Sequence, residues 1–509
     1  MRAPTEHARA AAILVACTAW VARPWSWRGD CAFPQRDAAF SLVGIDHLQR
    51  ALLGRVELAA SPLGWPFEGR LALTDWMLGE ALLGLPLRGL DPARAYQVLV
   101  LAGLLATALA CHAVVHRLLG AGPHTVLAGV LGGLAAPQLV HVQHVNLVHH
   151  EWAVLAALGL GLGLARCRPL VAALGGLSVA VGFHFGAYVG MHALLVASVT
   201  AICFLGRGDA RTWGAVLIAG VVGGATLLPV ATTWLEVASQ WGMELSLAEK
   251  AEGTWRPRQA LSPLPAAPLH SWLGTPPRPI GPVAGNVGFV ALGLALVGLA
   301  PPRVASLRRP WLAALVLALT SGLLATVSAP IGMFRSPSRW LAVAALGLAV
   351  LAAFGLHRLL GRLPARVGGV VGLALVAVVL GEQPRTSCVD RASLEPSPAY
   401  EALPAGDSPL AEVFRPGCDC AGVPRLLAAL EHHRPLAGGH FARFFPAMQV
   451  LNRQLGAWPS DHAAARLHEL GVRVVLEHRP PRGEPPHGWT CEDVAHHRIC
   501  TPAKRGSDR

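Results

Sequence analysis

Apolar runs recur from one end of this chain to the other, each approaching the roughly 20 residues that a helix needs to cross a bilayer. Eleven can be read, at about 8–22, 95–118, 124–142, 152–166, 170–186, 188–206, 212–234, 285–301, 310–330, 339–360 and 366–381. They constrain the fold more than any other feature, because a chain with so many such runs belongs in lipid. Of its 509 residues 53% are hydrophobic and only 14% charged, where a soluble enzyme carries nearer a quarter. The expected class is a mainly α, polytopic membrane protein of about 11 spans. The first run is read as a retained helix and not as a cleaved signal peptide, since no distinct small-x-small site follows it.

A formal net charge of +12 would suit nucleic acid, but the arginines stand singly or in twos and threes at the ends of apolar runs. No basic stripe interleaved with aromatics exists, so a nucleic-acid partner is set aside. The arginines instead set an orientation. Arg2 and Arg9, Arg117, Arg166 and Arg168, Arg207 and Arg211, Arg303, Arg308 and Arg309, and Arg358, Arg362 and Arg366 mark every second loop. Basic loops stay in the cytoplasm. The N-terminus is therefore expected on the cytoplasmic side, with the alternate loops and the C-terminal tail extracytoplasmic.

Cysteine placement agrees with that side being oxidising. Cys31, Cys388, Cys418, Cys420, Cys491 and Cys500 all fall in segments assigned outside, where disulfides persist. Cys491 with Cys500 would close a short loop, and Cys388 with Cys418 or Cys420 is a second candidate pair. From Glu382 onward charges and prolines rise and no spanning run remains. Residues 411–415, 424–434 and 464–478 read as short strands and helices of a small α/β domain, the last as a helix, a stop at Gly471 and a strand. The expected division is 1–381 as the membrane domain, including a first outward loop at 23–94, and 382–509 as an extracytoplasmic domain.

Three constellations offer chemistry. The first outward loop carries Asp37, Asp46, Glu57, Glu68, Asp75 and Glu80 among apolar residues and turn formers. FSLVGIDHLQRALLG, following Asp37, has helical periodicity, and a helix lying in the membrane interface would hold Asp37 at its N-terminal end. A carboxylate there can serve as a general base or simply stabilise the helix start; both readings stand. The second is His141-Val-Gln-His144-Val-Asn146-Leu-Val-His149-His150-Glu151-Trp152, whose spacings allow either a divalent-metal site or a polar cap at a helix end; no metal ligand is assigned. The third is Phe334-Arg335-Ser-Pro-Ser-Arg339-Trp340 at the outward mouth of the tenth run. Arg335 and Arg339 oppose the positive-inside bias there, which calls for an anionic partner, a protein carboxylate or a phosphate.

Together these stretches resemble the bacterial polytopic proteins of the GT-C glycosyltransferase superfamily, especially members that glycosylate cell-envelope polymers. The residues that carry the resemblance are Asp37 followed by SPLGWPFEGRLALTDWMLGEALLGLPL, then HVQHVNLVHHEW, FRSPSRW, and a tail with HHRPLAGGHFARFFP and LHELGVRVVLEHR. The resemblance implies a sugar donor on a polyprenyl phosphate, an envelope acceptor and a membrane-lipid environment. It implies that Asp37 is the catalytic base, with Asp75 second choice; the reading of the residues adds Arg335 and Arg339, with His144 and His141, as the groups that bind the donor phosphate. Two points depart from the family's pattern: Arg36 precedes the acid where a small residue is usual, and Gly44 and His47 stand at aromatic positions. The alternative from another class is a non-catalytic lipid-binding or transport protein of the envelope. A transporter should place ionisable groups at the membrane midplane, whereas here polar residues collect at the outer ends of the runs.

Overall fold

The computed structural model describes residues 3–22, 31–32, 36–67, 76–241, 286–326, 337–384, 389–390, 398–413, 422–437, 446–478, 484–494 and 497–503. The chain divides into two compact units. One comprises Met1–Cys31, Arg94–Leu228 and Leu245–Cys388; the other comprises Ala32–Ala93, Pro229–Glu244 and Val389–Arg509.

A helix forms at each of the apolar runs: α1 (Ala3–Val21), α2 (Pro92–Leu119), α3 (Pro123–Leu134), α4 (Glu151–Ala165), α5 (Pro169–Phe185), α6 (Ala187–Cys203), α7 (Ala210–Trp241), α8 (Phe289–Gly298), α9 (Ala305–Thr326), α10 (Leu341–Leu360) and α11 (Ala365–Glu382). Among the described residues, six helical stretches are long and apolar enough to cross a membrane. They are Pro92–Leu119, Val145–Ala165, Ala210–Val237, Ala305–Thr326, Pro337–Leu360 and Ala365–Glu382. The others fall short for local reasons. The helix α3 ends where the backbone turns extended at Ala135 (φ −71°, ψ 155°), and α8 has only 10 residues.

In the helical unit α10 is the centre, apolar on every side and packed by α3, α8 and α9, as an all-round apolar helix must be. Its contact with α8 runs through glycine. A Cβ on Gly298 or on Gly355 would stand 1.9 Å from a carbonyl oxygen of the other helix, so the backbones touch as small residues in membrane helices permit. The start of α8 is closed by the buried Glu382, which accepts hydrogen bonds from the Phe289 and Val290 amides at 3.0 and 3.1 Å. A carboxylate there satisfies free N–H groups and complements the helix dipole. Next to it Gln383 accepts from the Ala136 amide at 3.0 Å and donates to the Val287 carbonyl at 3.1 Å.

The second unit is built on a six-stranded sheet. Its strands are β1 (Leu63–Trp65), β2 (Leu410–Val413), β3 (Leu436–Ala437), β4 (Val474–His478), β5 (Trp489–Val494) and β6 (His497–Pro502), in the order β1-β3-β2-β4-β6-β5. The pairs β1–β3, β3–β2 and β2–β4 are parallel; β4–β6 and β5–β6 are antiparallel. Parallel neighbours need crossovers. The helix Gly422–His432 links β2 to β3, and Pro446–Gly456 with Asp461–Glu469 link β3 to β4. Ser460 caps the last of these by accepting the Ala463 amide, and Gly471 follows it at φ +76°, a stop of the expected kind. The small sheet and its helices thus match the reading of the tail.

The segment read from the sequence as the first outward loop contributes residues 32–93 to this unit. Strand β1 comes from it, with Leu63 in register with Leu436 and the Pro62 carbonyl accepting the Leu436 amide at 2.7 Å. The helix Arg36–Leu52, expected to lie in the membrane interface, packs against Gly422–His432. Phe40 and Val43 sit in one hydrophobic core with Leu410, Ala411, Val475 and Leu476, so the apolar face that suggested lipid is covered by protein. Residues 32–93 therefore belong with the tail, where the sequence reading grouped 23–94 with the membrane domain.

Cys491 and Cys500 are joined by a disulfide between directly paired residues of β5 and β6, as expected. The pairing of Cys388 with Cys418 or Cys420 lies outside the described residues. Two buried acids mark the sheet: Glu412 takes the Tyr400 hydroxyl at 2.8 Å and His478 Nε2 at 2.8 Å, and Glu477 takes the Trp458 indole N–H.

Candidate functional site

The His-rich turn between α3 and α4 owes its shape to Tyr96 of α2. The Tyr96 hydroxyl donates to the Gln143 carbonyl at 2.7 Å and accepts the Val145 amide at 3.0 Å. That double contact pins a short 3-10 turn, Val145–Leu147, and delivers His149, His150 and Glu151 to the N-terminal end of α4. Glu151 is in the first turn of α4, where the helix dipole favours its charge.

Two linked polar groups result. In the first, His149 Nδ1 lies 2.8 Å from Glu151 Oε1, and the Thr107 hydroxyl reaches Glu151 Oε2 at 3.1 Å. His149 is 1% exposed, and its Nε2 is buried with no hydrogen-bond partner among the described residues. A carboxylate holding one ring nitrogen fixes the tautomer and leaves the other nitrogen as an acceptor, the arrangement a proton-accepting imidazole requires. The ring is seated over Gly103, where a Cβ would come within 3.0 Å of His149 Cε1 and Nδ1.

In the second group, His150 Nε2 is 2.9 Å from His192 Nδ1 on α6, with the rings stacked at 5.1 Å between centroids. His192 also meets the Trp340 ring at 4.9 Å. Arg339 spreads its guanidinium over the Tyr188 ring at 4.2 Å, a cation–π contact. Its charge acts on both His141 and His192, so Arg339 and these imidazoles share one polar neighbourhood. His141 and His144 lie with ring centroids 6.4 Å apart. A guanidinium with imidazoles beside it is suited to an anion with several oxygens, and such charge-assisted bonds are the strong ones.

Of the residues expected to hold a phosphate, His141, His144 and Arg339 are thus found in the helical unit, while Arg335 lies outside the described residues. Asp37 is found in the other unit, half-buried in the first turn of Arg36–Leu52, and its own carbonyl accepts the Ser41 hydroxyl at 2.8 Å. Asp75 lies outside the described residues. Gly44 and His47, which depart from the expected aromatic pattern, both lie in this unit: a Cβ at Gly44 would meet the flexible end of Met77, Cε, at 2.8 Å, and His47 Nε2 is engaged with the Leu58 carbonyl at 3.0 Å.

Thr107 and the pairing of His150 with His192 had no signal in the sequence, because their partners lie 41 or more residues away, and the contact of Tyr188 with Arg339 is likewise distant in sequence. The His149–Glu151 pair was present in the motif, but its i, i+2 spacing is not a helical-face spacing, and it becomes a contact only through the 3-10 turn. Among the described residues the one cluster with ligand spacing is Glu477 with Cys491 and Cys500, and the disulfide removes both sulfurs as thiolate ligands.

No protein-family model matches this chain, and no curated protein matches it. Solved structures do. A cryo-EM structure of the arabinofuranosyltransferase AftD from mycobacteria aligns with a TM-score of 0.56 and 17% identity, covering 98% of this chain and 40% of that one. A second, of a mutant form of the same enzyme, aligns at 0.58 and 16%, covering 98% and 41%. The chain spans about two-fifths of the length of these structures. At such identity the likeness is one of fold.

Proposed function

We propose that this chain is a membrane glycosyltransferase that moves a sugar from a polyprenyl-phosphate donor to a hydroxyl of a cell-envelope acceptor, on the outer face of the bacterial cytoplasmic membrane. The observation that carries the reading is the shared fold over 98% of the chain with a membrane arabinofuranosyltransferase. Membrane-length helices and the cluster around Arg339 support it.

In the transfer, the acceptor oxygen bonds to the anomeric carbon while the bond from that carbon to the phosphate oxygen breaks. The acceptor proton passes to a carboxylate, and polyprenyl phosphate leaves. The resemblance gives the base's role to Asp37, with Asp75 second. Arg339, with His141, His144 and Arg335, would neutralise the charge that grows on the departing phosphate. His149, oriented by Glu151, keeps the polar floor of this cluster in one arrangement. The remaining apolar helix surface would accommodate the prenyl chain.

The test is mass spectrometry of the purified chain incubated with polyprenyl-phosphate sugars and a membrane extract. Donor-dependent release of polyprenyl phosphate supports the transfer, and Arg339→Ala should raise the donor KM. Bound lipid without turnover of any donor would favour the non-catalytic reading.

A further inference from the structure

The proposed transfer makes no use of Glu477 or of the disulfide beside it. Strand β5 ends the sheet and β6 is its inner neighbour, so the two sulfurs of the bridge are unlike. Cys491 on β5 is half-buried, whereas Cys500 on β6 is 0% exposed. Strand alternation puts Trp489, Cys491 and Asp493 on one face of β5. Cys500 and Arg498, their neighbours on β6, share that face with Val475 and Glu477 of β4.

On this face Glu477 is 1% exposed. Its Oε1 accepts the Trp458 indole N–H and lies 3.6 Å from Cys500 Sγ. Trp458 and Trp489 meet edge to face at 5.1 Å. Arg498 Nη1 is 3.9 Å from Glu477 Oε2, and Arg498 Nε reaches Asp493 Oδ1 at 3.0 Å. Burial, with the Asp493 charge, holds the Glu477 carboxyl above its ordinary value of 4.5, against the Trp458 N–H and the Arg498 charge.

A bridge that only staples two strands has no need of an acid against one sulfur, and burying that acid costs stability. Exchange does need it. A thiolate attacks one sulfur of a disulfide and the other leaves as a thiolate. Attack from solvent reaches the half-buried Cys491, so the charge appears on the fully buried Cys500. A thiol has a pKa of about 8.5 in water and a higher one in apolar surroundings, which makes Cys500 a poor leaving group unless a proton is supplied to it. Glu477 is in contact with that sulfur.

We propose that Cys491–Cys500 is a thiol–disulfide exchange site for an external dithiol, with Glu477 as the proton donor to Cys500. A thiolate of the dithiol bonds to Cys491 Sγ as the Cys491–Cys500 bond breaks, and the electron pair of that bond goes to Cys500 Sγ. Glu477 protonates this sulfur and becomes a carboxylate facing the Arg498 guanidinium and the Trp458 N–H. The partner's second thiolate then attacks its own sulfur in the mixed disulfide, and Cys491 leaves and takes a proton from solvent, which also reprotonates Glu477. Two electrons have passed from the dithiol, now a disulfide, to the cysteine pair. The site is independent of the transfer reaction.

The experiment exposes the full chain in detergent to dithiothreitol, quenches in acid, alkylates, and quantifies the Cys491 and Cys500 peptides by mass spectrometry. The wild type should be reduced at both cysteines while near-ultraviolet circular dichroism still reports a folded chain. Glu477→Gln, which keeps the size of the side chain and an acceptor for Trp458, should lower the rate constant per dithiothreitol thiolate by at least about 100-fold, the low end for a lost general acid. In the wild type that constant should fall as rising pH ionises Glu477, and in the variant it should be flat. Glutathione, a monothiol, should be found on Cys491 of the wild type and not on Cys500. Reduction of the wild type only on unfolding, glutathione on Cys500, or an equal rate constant in folded Glu477→Gln would each overturn the proposal.

Discussion

His149 Nδ1 lies 2.8 Å from Glu151 Oε1, with both side chains almost fully buried. Glu151 is held in turn by Thr107 at 3.1 Å, so three side chains from α2, the His-rich turn and α4 form one chain of hydrogen bonds. A buried network of this kind acts as a unit, and its members should couple energetically.

Thr107→Val and Glu151→Gln, alone and together, measure that coupling. Each single change should destabilise the helical unit by about 1–3 kcal/mol, the cost of leaving a buried polar group unsatisfied. The double variant should cost less than the sum, by about 0.5–3 kcal/mol. Thermal or denaturant unfolding in detergent reads the effect, and strict additivity would separate Thr107 from the network.

Arg339→Lys tests whether the guanidinium matters as a plane. Arg339 lies over the Tyr188 ring at 4.2 Å, and lysine keeps the charge but loses the stacking and the fork of donors. If Arg339 holds a phosphate, losing one charge-assisted bond, about 1.5–3 kcal/mol, should raise the donor KM by roughly 10–150-fold. Steady-state kinetics over donor concentration gives the answer; an unchanged KM would remove Arg339 from the donor site.

Gly103→Ala should disturb His149 without changing any polar group. The added Cβ would stand 3.0 Å from the ring, and overpacking of this kind costs about 1–3 kcal/mol. The expected result is a lower melting midpoint together with reduced transfer. If activity and midpoint match the wild type, the ring has room to move and its position is not fixed by α2.

The sheet unit should carry a pH signature from Glu477. Burial raises its carboxyl above the ordinary value of 4.5, while the Trp458 N–H and the Arg498 charge act in the opposite direction. A carboxyl with a raised folded pKa holds its proton more tightly in the folded state, so its contribution to stability is greatest at or below 4.5. It is lost as pH rises from there through the folded value. Hydrogen exchange at β4 between pH 4 and 7 should show this fall, and Glu477→Gln should flatten it. An identical slope in the variant would assign the pH dependence elsewhere.

The sequence was most legible where the physics is local. An apolar run such as 339–360 has to become a helix, and LHELGVRVVLEH announced its helix, its stop at Gly471 and its strand. The Cys491–Cys500 disulfide followed from a short loop in a segment read as extracytoplasmic. What stayed hidden depends on distant partners. Leu63–Trp65 is three residues long and becomes a strand only because Leu436–Ala437 lies beside it, so nothing near residue 63 showed that the loop belongs with the tail. For the same reason the apolar face of Arg36–Leu52 read as a lipid-facing surface, when Phe40 and Val43 fill a protein core. At the candidate site His141, His144 and Arg339 stood out as polar residues at helix mouths, but His192 and Tyr188 gained their partners from turns far away in sequence.

The central claim is the transfer of a sugar from a polyprenyl phosphate, and the most direct measurement is mass spectrometry of donor and product with wild type and Asp37→Asn side by side. The account predicts that the wild type releases polyprenyl phosphate and forms a glycosylated product, and that the folded Asp37→Asn chain, lacking the base, slows this by about 10²–10⁴-fold. Consumption of no donor by the wild type, across a panel of sugars and in the presence of membrane extract, would contradict it.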